Sequence, residues 1–147
     1  MEEYDVQKWI FTDTLKIADK EIPHSHPILT LNTRPQSDLS LLSIFLHENV
    51  HWFLVENEEL TNKAIEELKE KFLDVPVGNR EGARDEHSTY LHLIVNFLEY
   101  DGIKQIAGDR AAQAIFARKN YYRWIYKQVL DNLEYLEELS VKYQLTI

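Results

Sequence analysis

Ser37-Asp38-Leu39-Ser40-Leu41-Leu42-Ser43-Ile44-Phe45-Leu46-His47-Glu48-Asn49-Val50-His51-Trp52-Phe53-Leu54-Val55-Glu56-Asn57 decides how the rest of the chain is read. Arg34-Pro35 closes what precedes it, and Ser37 or Asp38 can cap a helix that runs to about Asn57. Apolar residues fall on nearly every face of that helix, which is the pattern of a buried one. His47, Glu48 and His51 inside it therefore need a chemical reason.

The spacing supplies one. His47 and His51 are four residues apart, so on a helix they leave one face one turn apart, where both imidazoles can reach a single metal ion. Glu48 lies about 100° round the helix from His47, beside such an ion rather than on it. There it can take a proton from metal-activated water and hand it to a leaving group, as general base and then acid. A third protein ligand is required, and the next helical stretch offers Glu86, His87, His92 and Glu99. His92 stands among Leu91, Leu93, Ile94 and Val95, and with Asn96 and Glu99 it forms one polar stripe on an apolar helix. His92 is the favoured ligand, with Asn96 or Glu99 supporting the site; Glu99 or Glu86 as ligand is the alternative.

The pentapeptide His47-Glu48-Asn49-Val50-His51 is the HExxH pattern, and through it the chain resembles the zincin metallopeptidases. The runs Ile28–Arg34 and Ser88–Val95 also resemble small bacterial proteins carrying the same five residues. The resemblance implies a short sheet ahead of the active-site helix. It also implies that the strand before that helix, Ile28–Thr33, receives a substrate peptide by strand addition. The chain departs from the glutamate-ligand subgroup, in which an aspartate follows the third ligand by four residues. Here Ile103 follows Glu99, Tyr90 follows Glu86, and Asn96 follows His92. No glycine-histidine extension follows His51.

Around this centre the chain reads as one α+β domain over residues 1–147, a small N-terminal β-sheet followed by about four helices. Strands are expected at Lys8–Thr12, Leu15–Ala18 and Ile28–Thr33, with Pro23-His24-Ser25-His26-Pro27 as a loop. After the first helix, at about 37–57, come an amphipathic helix at Thr61–Leu73 and a loop at Asp74–Ala83. A third helix at about Arg84–Ala107 is capped by Gly108, and a last helical region from Asp109 to about Tyr143 breaks near Asn120.

Composition bounds the chemistry. Hydrophobic residues make up 44% of the chain, enough for a core, and the net charge of −9 with no basic run opposes nucleic-acid binding. With no cysteine, any metal must be held by His, Asp or Glu. The opening Met1-Glu2-Glu3-Tyr4-Asp5 lacks a secretory pattern and no apolar run can span a bilayer, so a cytoplasmic protein without membrane contact is expected. His24 and His26 read as loop residues, and Tyr122, Ile125 and Val129 as core at helical spacing. Tyr90 or a tyrosine of the 121–126 stretch can stabilise an oxyanion. Arg84 and Arg123 can orient a substrate carboxylate.

The sequence thus points to a zinc-dependent hydrolase of peptide or other amide bonds. His47, His51 and His92 hold Zn2+, Glu48 carries the proton transfer, and a peptide or protein is the substrate. The rivals are a non-catalytic metal-binding or protein-interaction domain of the same fold, and a helical interaction protein in which the motif is accidental.

Overall fold

In the computed structural model, residues 4–35 and 37–147 are described. Over these residues the chain is α+β and mostly helical: a two-stranded parallel sheet, then six helices. The acidic opening read at Met1–Glu3 lies outside the described residues. No helix among those described is long and apolar enough to cross a membrane.

β1 (Leu15–Ile17) pairs with β2 (Leu29–Leu31), Lys16 opposite Thr30. The opposite edge of β2 is taken by an antiparallel bridge in which His24 and Thr30 exchange both backbone hydrogen bonds. All three β2 residues are buried, whereas β1 is exposed. This corrects the reading of Ile28–Thr33 as a receptor for an added strand: both of its edges are occupied by its own chain. The strand expected at Lys8–Thr12 is also corrected. Gln7–Trp9 is a short 3-10 helix, and residues 10–12 form no strand. What holds this segment is packing on a helix rather than a ladder. Trp9 is fully buried, the Phe11 N–H donates to Asn49 Oδ1 at 3.2 Å, and the Phe11 ring lies 5.3 Å from Phe53.

α1 (Asp38–Glu56) starts where its cap predicts: Ser37 Oγ accepts from the Ser40 N–H at 3.1 Å. α2 (Glu58–Lys71) begins three residues before the expected Thr61, since Asn57 ends one helix and starts the next. α3 (Glu86–Ala107) opens on Asp85, whose carboxylate accepts from the Ser88 N–H, and closes at Gly108, where φ is 92°. α3 is the central element, packed against α1, α2, α4, α5 and α6. It approaches α1 closely at Gly102, where a Cβ would stand 3.0 Å from the Trp9 ring and 3.1 Å from Leu46 Cδ1.

The last helical region is three helices: α4 (Asp109–Phe116), α5 (Arg123–Asp131) and α6 (Leu133–Lys142). The break near Asn120 is the loop 117–122, and a second break falls at Asn132. Short helices let one stretch of chain wrap α3, which a single straight helix could not do. Tyr122 closes the first break in the left-handed region at φ 51°.

Candidate metal centre

α1 and α3 each bring part of the site. His47 and His51 leave α1 one turn apart, and His92 comes from α3 opposite. Their ring centroids are 5.1, 5.5 and 5.0 Å apart, and one nitrogen from each ring lies within 4.8 Å of the other two. The group has three members among the described residues.

The hydrogen bonds fix which nitrogen of two rings is free. His47 Nδ1 lies 3.0 Å from Glu99 Oε2, and His92 Nδ1 lies 2.6 Å from the Ser88 carbonyl oxygen. A carboxylate and a carbonyl only accept, so each Nδ1 carries a proton, and in the neutral ring Nε2 keeps its lone pair for an ion. Burial and the neighbouring imidazoles also hold the His51 and His92 rings neutral. His51 is pushed down to about 2 by burial, then by the charges of His47, His92 and His26. His92 is pushed down to about 4 by burial and His47, partly offset by the Ser88 carbonyl. Neutral imidazole is the form that binds metal, so the donor set fits a divalent ion.

Glu99 stands behind His47 rather than in the histidine group, and it is fully buried. Four donors surround it: His47 Nδ1, Ser43 Oγ, Tyr126 Oη at 3.0 Å and Lys119 Nζ at 3.1 Å. Burial alone would raise its carboxyl, but the Lys119 charge and the bonds from His47 and Ser43 hold it down at about 2. Lys119 is almost as buried, and its Nζ also donates to Ser43 Oγ at 2.7 Å.

Glu48 is buried too, yet among the described residues no hydrogen bond ends on its carboxylate. Burial raises its pKa, with the Glu99 charge adding and His47 partly opposing. Glu48 and His47 border a cavity of about 870 Å³ whose far walls come from residues after β2 and from the 117–122 loop. Tyr122 lines it as well, with its ring 4.7 Å from that of His92. Tyr122 is half-buried and packs against the core as read, besides lining this wall, and Ile125 and Val129 are buried as expected.

The other candidates are placed elsewhere. Glu86 and His87 are exposed in the first turn of α3 and outside the histidine group. Asn96 is fully buried, but the partner of His92 Nδ1 is the Ser88 carbonyl, and the Asn96 amide has no partner among the described residues. The His24–His26 loop is pinned to α1: the His26 ring stacks on Trp52 at 4.1 Å, and Trp52 Nε1 donates to the Ser25 carbonyl. Tyr90 donates to the Phe72 carbonyl. Arg84 pairs with Asp85 and Arg123 with Glu81, and neither lines the cavity. Arg34 and Arg118 line it instead. Sequence reasoning missed these two, together with Ser43 and Lys119; Tyr126, one of the tyrosines read as able to stabilise an oxyanion, instead donates to Glu99. Ser43 alone carried a signal, being one turn before His47 on the same face of an apolar helix.

No protein-family model, curated protein or solved structure matches the chain.

Proposed function

We propose that the protein is a zinc-dependent hydrolase of peptide or other amide bonds, of the zincin type. The observation that carries this reading is the meeting of three imidazoles from α1 and α3 beside a buried, unpaired carboxylate on a cavity wall. Histidine donors without cysteine suit zinc among the common divalent ions, and three protein ligands leave a position open for chemistry. When bound, the ion would acidify water and polarise the scissile carbonyl.

The remaining work belongs to the chain. Glu48, one residue along α1 from His47, accepts the proton that water gives up and returns it to the leaving nitrogen. Its raised pKa brings it nearer to neutrality, where a group that must both take and give a proton works best. Glu99 holds His47 in the tautomer and orientation the site needs. Tyr122, whose hydroxyl makes no hydrogen bond among the described residues, can donate one to the oxygen that becomes negative. The cavity is large enough for a short peptide segment. A closed, purely structural site would need a fourth protein ligand, and the histidine group offers three.

Elemental analysis of protein purified without added metal tests this. About one zinc per chain is expected in wild type and Glu48→Gln, and loss of most of it in His47→Ala, His51→Ala and His92→Ala. Glu48→Gln should lower the hydrolysis of a fluorogenic peptide library by roughly 10²- to 10⁴-fold while keeping its metal. Wild-type protein that holds no zinc even after incubation with it would sink the proposal.

A further inference from the structure

The cavity beside Glu48 is cationic in an otherwise acidic protein. The chain carries a formal charge of −9, yet Glu48 is the one acid among the described residues lining this space. Three cations line it: Arg34, Arg118 and Lys119. Lys119 is committed to Glu99. Arg34 and Arg118 are exposed, and among the described residues neither guanidinium has an ion pair or hydrogen bond. Lys20, Arg80, Lys104 and Arg110 are likewise without a side-chain ion pair or hydrogen bond among the described residues, but none of them borders a cavity with aliphatic walls.

The two arginines come from parts of the chain far apart in sequence, and both line the cavity. Arg34 follows β2, and its backbone is tethered there. Asn32 Oδ1 accepts from the Arg34 N–H at 3.1 Å while Asn32 Nδ2 donates to the Glu21 carbonyl at 3.0 Å. Arg118 sits just past the end of α4, its N–H donating to the Ile115 carbonyl. The same cavity is lined by Ile22, Leu39, Ile44 and Ile115. A space with free guanidinium forks and aliphatic walls suits a ligand that joins a carboxylate to an apolar group, because a guanidinium matches a carboxylate in shape and charge.

We infer that the cavity takes amide substrates bearing a free carboxylate next to an apolar side chain, held by Arg34 and Arg118. This rests on the hydrolase reading for the reaction, but the recognition is a binding property and can be measured without turnover. The carboxylate can be the end of a peptide or an acidic side chain, since both present the same two oxygens.

Calorimetric titration separates these cases. The ligands are N-acetyl-Ala-Leu as the free acid, its C-terminal amide, and N-acetyl-Glu-Leu-amide, added to zinc-incubated Glu48→Gln protein so that none is consumed. The free acid should bind at least about tenfold more tightly than the amide, a charge-assisted bidentate contact being worth that much. In Arg34→Gln/Arg118→Gln on the same background the preference should shrink to about twofold or less, with zinc content unchanged. Tight binding of the Glu-containing amide would extend the site to side-chain carboxylates, and weak binding would restrict it to chain ends; either supports the inference. Equal binding of acid and amide, no binding of any ligand, or a preference that survives the double substitution would overturn it. The last result would assign the carboxylate to the metal. Failure of the hydrolase reading has a different mark: no zinc and no turnover in wild type, with the arginine-dependent preference still present.

Discussion

Lys119 and Glu99 form a buried ion pair whose members serve different ends. Glu99 orients His47, while Lys119 makes it possible for a carboxylate to stay ionised with no exposure to water. Removing one charge strands the other. Lys119→Ala should therefore destabilise the fold by about 3–5 kcal/mol in denaturant titrations. Lys119→Met with Glu99→Gln removes both charges and should recover much of that loss. Zinc affinity should not recover with it, because a neutral amide is a weaker acceptor for His47 Nδ1. A competition titration with a chelator should find it about 10- to 100-fold weaker than wild type. Recovery of both stability and affinity in the double variant would assign the pair a purely structural role.

The site is a joint between elements, and its geometry depends on how α1 and α3 meet. At Gly102 the two helices and the Trp9 indole come so close that a methyl group fits only if its neighbours give by a few tenths of an ångström: a Cβ there lies 3.0 Å from Trp9 Cη2 and 3.1 Å from Leu46 Cδ1. Gly102→Ala gains about 1 kcal/mol of helix propensity, but overpacking a core costs about 1–3 kcal/mol. Trp9 and Leu46 are both fully buried and have little space to yield, so a net fall in unfolding free energy is expected. An increase would mean that the Trp9 segment can withdraw. Ser37 caps the start of α1, and burial of Leu42, Leu46, Val50 and Leu54 against the core holds the rest. The sheet contributes differently. β2 is held by β1 on one edge and His24 on the other, which sets the start of the Asn32–Pro35 segment on the cavity wall.

Over the whole molecule, a metal would act as a cross-link between α1 and α3 in a chain that has no cysteine to make one. Any ligand that binds the folded state alone stabilises it by mass action, by about 4 kcal/mol at a thousandfold excess over Kd. Zinc added to metal-free protein should raise the thermal midpoint, and a chelator should lower it again. His51→Ala should lose that response while unfolding cooperatively at a midpoint that zinc no longer moves. A wild-type melting curve insensitive to both zinc and chelator would show that the three histidines do not link the helices through an ion.

The residues themselves determined what depends on helical periodicity. The i, i+4 spacing of His47 and His51, the cap Ser37, the stop at Gly108 and the His92–Asn96–Glu99 stripe are all local consequences of 3.6 residues per turn. They were legible because a helix sets its own geometry over a few neighbours. Tertiary structure decided which member of the stripe meets α1 as a third imidazole and which stands behind His47, since that follows from how two helices are rotated and crossed. It also decided that Trp9 anchors a 3-10 turn, that the final helical region splits at Asn132 as well as near Asn120, and that β2 has no free edge. Lys119, Arg34 and Arg118 reach the site from segments outside regular structure. Their placement is set by packing between distant parts of the chain, which no periodicity records.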